Sequence, residues 1–237
     1  MEKVSIVIPA HNEEEFLPAT ITAALAQDYP DFEIIVVDNA SIDRTSEVAR
    51  SFGGVTVVYE PNKGLLHARE RGRREASGEI IVNMDADCLP EPDWLSRGAA
   101  HLHDPAVVAA TGPYYYYDGG RIFRAFSFYS QKYVYRVMNR IIQAFNLGAV
   151  LIGGNSFIRA EALEKAGGYN TALLFYGEDT DTARRVSRHG RVIFDPNLFQ
   201  STSARRIKAE GAFTIPIRYV FHFFKVLYTG NRQKKAQ

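Results

Sequence analysis

The chain of 237 residues has little of what several large protein classes require. It holds one cysteine, Cys88, so no intrachain disulfide can form, and a reducing cytoplasmic setting fits. No apolar run reaches the length of a membrane-spanning helix. The first strand-like run begins at Val4, which leaves no room for a signal peptide ahead of it. Neither Gly-x-Gly-x-x-Gly nor Gly-x-x-x-x-Gly-Lys-Ser/Thr occurs, which disfavours dinucleotide and P-loop chemistry. The six histidines show no metal-ligand spacing, and His101 with His103 reads as a solvated helix end. No internal repeat, low-complexity linker or recognised nucleic-acid motif is present.

Acids are scarce in two stretches: Arg121 to Ala160 holds six basic residues and no acid, and the C-terminal tail holds one acid. Residues 201–237 carry eight Lys/Arg against Glu210 alone, a net of +7, whereas residues 1–200 carry 20 Lys/Arg and 26 Asp/Glu, a net of −6. A basic tail on an acidic body favours an anionic partner: phosphates, nucleic acid or a lipid headgroup surface. The composition, 46% hydrophobic and 23% charged, is that of a soluble globular chain.

Two hydrophobic periods alternate through the first hundred residues. Val4–Ile8, Glu33–Val37, Val55–Tyr59, Glu79–Met84 and Ala106–Ala110 read as strands. Glu14–Gln27, Arg44–Phe52, Leu65–Ala76 and Asp93–His103 read as helices. Strands too apolar for a wet face, alternating with helices, predict an α/β fold with a mainly parallel sheet covered on both sides. Ligands of such sheets sit beyond the carboxyl ends of the strands. Those ends carry Pro9-Ala10-His11-Asn12-Glu13, Asp38-Asn39-Ala40-Ser41 and Asp85-Ala86-Asp87, which should therefore share one edge.

Beyond Thr111 the pattern changes. An aromatic run, Tyr114–Tyr117, precedes a long amphipathic helix over Arg121–Asn146. Phe123, Phe126, Tyr133, Val134, Val137, Met138, Ile141 and Phe145 share one arc of it; Arg124, Lys132, Arg136 and Arg140 occupy the opposite one. Residues 114–147 and 212–229 together hold 17 of the 29 aromatic residues.

Each chemical motif has two readings. Asp85-Ala86-Asp87 is either a polar turn before Pro90 or a pair of carboxylates able to grip a hard divalent cation. Glu178-Asp179-Thr180-Asp181 either complements a helix macrodipole or holds a carboxylate base at a helix mouth. Gly153-Gly154-Asn155-Ser156 is a tight connection or a close backbone approach to a ligand. Arg205-Arg206 is a solvated loop or a bidentate phosphate contact. Cys88 reads as a buried inert thiol.

Taken in order, Val4-Ser5-Ile6-Val7-Ile8-Pro9-Ala10-His11-Asn12-Glu13, Val36-Val37-Asp38-Asn39-Ala40-Ser41, Asn62-Lys63-Gly64, Asp85-Ala86-Asp87, Gly153-Gly154-Asn155 and Gly177-Glu178-Asp179-Thr180-Asp181 resemble a family 2 glycosyltransferase of the GT-A fold. The resemblance runs from Val4 to about Arg206. It implies a Rossmann-like, mixed but mainly parallel sheet in residues 1–211, with a nucleotide-binding half (1–111) and an acceptor half (112–211). It also implies inverting transfer of a sugar from a nucleotide diphosphate, commonly UDP, to a hydroxyl. Pro9, Ala10, Asn12 and Glu13 would line the nucleoside pocket with Asn39 and Lys63, and Asp38 would read the base. Asp85 would contact ribose or metal, and Asp87 would ligate Mn²⁺ or Mg²⁺. Asp179 would be the general base, positioned by Glu178; Gly154 and Asn155 would border sugar and acceptor. Relatives often supply a downstream histidine to the metal, whereas here Phe199-Gln200-Ser201-Thr202-Ser203-Ala204-Arg205-Arg206 has none. Arg205 or Arg206 is expected to share phosphate neutralisation instead.

Residues 212–237 read as a basic, aromatic, amphipathic helical extension lying on anionic lipid, the alternative being a helix packed on the core. The expectation is a cytoplasmic enzyme at the inner membrane face, acting on a glycan or a polyprenyl-linked acceptor and not on nucleic acid. The competing expectation is a non-catalytic nucleotide-sugar or glycan-binding module of the same fold.

Overall fold

The computed structural model describes residues 1–173 and 177–211. The expected C-terminal extension, 212–237, lies outside the described residues. In chain order the elements are β1 (Val4–Ala10), α1 (Leu17–Leu25), β2 (Phe32–Asp38), α2 (Thr45–Arg50), β3 (Val55–Tyr59), α3 (Leu65–Glu75) and β4 (Ile80–Met84). Then come β5 (Cys88–Leu89), α4 (Trp94–His101), β6 (Val107–Thr111), β7 (Tyr114–Tyr116), α5 (Arg121–Ser130) and α6 (Arg136–Ala144). The described part ends with β8 (Asn155–Arg159), α7 (Ala160–Lys165), α8 (Glu178–Val186), β9 (Arg191–Phe194), β10 (Gln200–Thr202) and α9 (Arg205–Glu210).

Seven strands form one sheet in the order β3-β2-β1-β4-β8-β6-β9. β8 alone runs antiparallel to its neighbours β4 and β6. The alternation inherent in a strand separates two apolar layers. Ile6 and Ile8 join Leu17, Ile21, Trp94 and Phe157 on one face. Val7 joins Ile35, Val37, Leu66, Ile158 and Leu163 on the other. This is the mainly parallel α/β sheet the strand pattern predicts, made mixed, as the family resemblance implies, by β8.

A second sheet, β5-β10-β7, sits beyond the carboxyl edge of the first. Thr202 pairs with Cys88 and with Tyr116, so residues from three distant parts of the chain meet there. Its short strands gave no periodic signal.

The helix expected over Arg121–Asn146 is present as α5 and α6 joined by a five-residue π-helical stretch, Gln131–Tyr135. Much of its apolar arc faces outward: Phe126, Tyr133, Val134, Val137, Ile141 and Phe145 are all exposed. Gln131, Asn139 and Ile142 are buried instead. The polar pair Asn139 and Gln143 faces edge strand β9, where both side-chain amides donate to the Val192 carbonyl. Gln143 Oε1 accepts from the Val192 N–H, so side chains cap backbone that a sheet edge leaves open. His101, expected at a solvated helix end, instead bonds Asp195 through Nε2 at 2.8 Å, because α4 lies beside the loop after β9.

Candidate active site

The antiparallel insertion of β8 determines the geometry of the carboxylate edge. Met84, the last residue of β4, lies opposite Asn155, the first of β8. Asp85 therefore leaves the sheet where Gly153-Gly154 enters it. A Cβ on Gly154 would collide with the Asp85 carboxylate, and one on Gly153 with the Asp179 carboxylate and Arg69. The close approach read from the two glycines is thus to carboxylates of the protein itself. The Gly153 N–H donates to Asp179 Oδ2 at 2.9 Å.

Arg69, on α3, joins the two acids. Its guanidinium, 3% exposed, places Nη1 3.0 Å from Asp179 Oδ1 and Nη2 3.5 Å from Asp85 Oδ1. Burial opposes the charge, but Asp179 and then Asp85 outweigh it and raise the Arg69 pKa. The Tyr114 hydroxyl donates to Asp85 Oδ2 at 2.7 Å, and burial followed by the Asp85 charge pushes that phenol well up. Glu178 is buried at the start of α8, and Oε2 has no hydrogen-bond partner among the described residues. Burial, then the adjacent Asp179, pushes its carboxyl up to about 7.

Asp87 is held from the second sheet. Its Oδ1 accepts from Thr202 Oγ1 at 3.1 Å and its Oδ2 from Arg205 Nε at 3.2 Å. Arg205 also bonds Glu13 through Nη2 and lies 4.4 Å over the Phe16 ring. Burial pushes the carboxyl groups of Glu13 and Asp87 up, and Asp85 adds to the shift at Asp87. Glu13 Oε2 is buried with no described partner. Arg206 follows Arg205 on α9.

The expected nucleoside residues gather at the ends of β1 and β2, with several side chains committed to loop geometry. The Asn39 N–H donates to the Ala10 carbonyl, and its side chain bonds the Glu60 and Asn62 carbonyls and the Gly64 N–H. It thereby fixes the loop that presents the exposed Lys63. Asp38 Oδ1 accepts from Ser41 N, and Asn12 Oδ1 from Ile42 N. Asn12 and Ala40 both have positive φ, 56° and 55°, so backbone strain concentrates where these loops meet. Pro9 and Ala10 end β1.

Asn155 differs in its place. It is fully buried; Oδ1 accepts from Trp94 Nε1 at 3.0 Å, and Nδ2 donates to the Gly112 and Leu198 carbonyls. It supports the floor of the cleft, while Gly154 lies at the carboxylates.

Arg69, Tyr114 and Thr202 were not among the sequence candidates. Arg69 lies in a helix with four arginines, and Tyr114 in a run of four tyrosines, so nothing local separates either from its neighbours.

Residues 5–167 match the profile of glycosyl transferase family 2. Glycosyltransferase AglE of Haloferax volcanii is 29% identical over 79% of this chain and 62% of its own length. The probable glycosyltransferase YdaM of Bacillus subtilis is 30% identical over 95% of this chain and 59% of its own. The chain thus spans about three-fifths of these relatives. Among solved structures, the mannosyltransferase PcManGT from Pyrobaculum calidifontis, in complex with GDP-Man and Mn²⁺, superposes with a TM-score of 0.73 at 26% identity, covering 96% of this chain and 64% of that one. TarS of S. aureus in complex with UDP-GlcNAc shares the fold, with a TM-score of 0.67 at 19% identity over 85% of this chain and 58% of that one. With a mixed sheet carrying its acids on one edge, and with most of its length matched by the family profile, the chain belongs to glycosyl transferase family 2.

Proposed function

We propose that this protein transfers a sugar from a nucleotide-diphosphate donor, UDP-linked in the first instance, to an acceptor hydroxyl with inversion. The observation that carries the reading is the meeting of Asp85 and Asp179 on one buried arginine, with Asp87 two residues beyond Asp85. Donor charge and acceptor proton can be handled on one sheet edge. Relatives bound to GDP-Man and to UDP-GlcNAc support a nucleotide-sugar donor. An undecaprenyl-phosphate 4-deoxy-4-formamido-L-arabinose transferase of Serratia proteamaculans, 35% identical over 41% of this chain, supports a lipid-linked acceptor.

Asp179 is the general base. Gly153 N–H and Arg69 hold its two oxygens in orientation, and a base so held would take the acceptor proton as the hydroxyl attacks. Glu178 at the helix mouth positions that base. Asp38, with Asn12 and Lys63, faces the nucleoside; Arg205 and Arg206 face the diphosphate. The carboxylates also fit a divalent cation. Asp85 and Asp87 are hard oxygen donors, and Glu13, whose buried Oε2 has no partner among the described residues, is joined to Asp87 through Arg205. Bound there, Mn²⁺ or Mg²⁺ would offset charge on the leaving diphosphate. Among the described residues no third side chain completes a cage, so phosphate oxygens and water would fill the remaining positions.

The exposed apolar residues of α5–α6 and the basic tail favour peripheral contact with the cytoplasmic membrane face. No described helix is long and apolar enough to cross a membrane.

A thermal-shift screen of UDP, GDP, CDP and dTDP sugars with Mn²⁺ tests the donor; one nucleotide series is expected to raise Tm. Asp179→Asn should bind that nucleotide yet lose transfer. A wild-type protein that binds but never turns over would make it a binding module. Full turnover in chelator would remove the metal from the reading. Flotation with anionic vesicles tests membrane contact, and protein left at the bottom of the gradient counts against it.

A further inference from the structure

Away from the carboxylate cleft, a cavity of about 860 Å³ opens between α6, β9 and the C-terminal end of α8. Arg136 and Arg140 reach it from α6, Arg184 and Arg188 from α8 and the turn after it, and Arg191 from β9. Arg191 pairs with Asp104. Among the described residues the other four form no ion pair; the nearby Asp181 carboxylate is held by Arg185 at 2.7 Å. Residues 174–176 and 212–237 contain no Asp or Glu, so those stretches supply no side-chain counterion either.

Like charges held around one cavity repel, and an internal role would require acids among them. The Arg184 Nε is buried without a described partner, and burial followed by Arg188 lowers the pKa of that guanidinium. Asn139 and Gln143 are already committed to the Val192 backbone, so the free donors of the cavity are chiefly guanidinium groups. Planar forks suit tetrahedral oxyanions, which accept two bonds from each.

We infer that this cavity is a binding site for a phosphoryl group, separate from the donor cleft. The phosphate belongs either to a soluble phosphorylated compound or to a lipid headgroup. Val137 and Ile141, exposed on α6 beside Arg136 and Arg140, place apolar surface next to the arginines and favour the headgroup.

The test uses the full chain and two double variants, R136Q/R140Q and R184Q/R188Q, each checked for folding by circular dichroism. Inorganic pyrophosphate is titrated calorimetrically in chelator, which weakens any metal-borne contribution of the donor cleft. Vesicles of phosphatidylglycerol and of phosphatidylcholine are tested by flotation. Wild type is expected to bind at least one anionic probe, and each folded double variant to bind it about tenfold more weakly or worse. Pyrophosphate binding without flotation identifies a soluble ligand, and flotation restricted to phosphatidylglycerol identifies a headgroup. Binding to neither probe, or binding undiminished in either folded double variant, overturns the inference.

Discussion

Arg69 and Asp179 lie 110 residues apart in the chain and 3.0 Å apart in space, with the guanidinium almost fully enclosed. The contact ties α3 of the first half to α8 of the second, and the same arginine reaches Asp85. Two acids aimed at one cleft repel each other; a buried cation lets both stay and fixes their orientation.

Arg69→Met should therefore disturb both fold and chemistry. Breaking a buried pair costs about 3–5 kcal/mol, less here because Asp85 and Asp179 are partly exposed. Misplacement of the base should lower kcat on the order of 10²-fold. Arg69→Lys keeps the charge and loses the fork, so it should restore Tm more than kcat. Thermal melts and steady-state kinetics on both variants decide this; a lysine variant with wild-type kcat would show that charge alone suffices.

Gly154→Ala should act on Asp85 without touching its charge. The added Cβ meets the carboxylate directly, so Asp85 must turn away from Arg69 and from Tyr114. Nucleotide affinity is expected to fall at least about tenfold while far-UV dichroism stays native. Isothermal titration with the preferred nucleotide provides the measurement, and unchanged affinity would mean that the carboxylate relocates without consequence.

Glu178 sets a pH dependence of stability with a definite sign. Its carboxyl ionises near 4.5 in the unfolded chain and near 7 when folded, because burial and then Asp179 disfavour the charge. Between those values the native state holds a proton that the unfolded chain has released. Stability should therefore fall as pH rises from about 4.5 to about 7 and then level off. Glu13 and Asp87 shift in the same direction. Glu178→Gln should flatten this slope, melting on the order of 5 °C above wild type at pH 8 and close to it at pH 5. Parallel Tm-against-pH curves for the two proteins would refute the assignment.

Much of the fold was legible because apolar periodicity is a local property. Strands β1 to β4 and β6, and the helices between them, fall near their expected places, although α1 runs Leu17–Leu25, shorter than the span Glu14–Gln27. The sharing of one edge by Glu13, Asp38 and Asp85 follows from the common polarity of parallel strands alone. The antiparallel entry of β8 and the three short strands of the second sheet were not legible. A strand of three residues has too few positions for alternation to register. The apolar arc of α5–α6 was visible, but its outward direction was not, since an apolar stripe is the same whether it meets a core, a lipid surface or solvent.

Arg69 marks the boundary between the two kinds of information. In the sequence it is one of several arginines on a basic helix, each suited to water. The sequence by itself determined which residue types stand at the strand ends, because covalent order and strand polarity place them there. Tertiary structure alone decided which arginine is enclosed, which glycine backbone receives a carboxylate, and that Asp87 meets Thr202 and Arg205. Those are contacts between segments far apart in the chain, and their strength comes from desolvation, which exists only once the segments have closed over them.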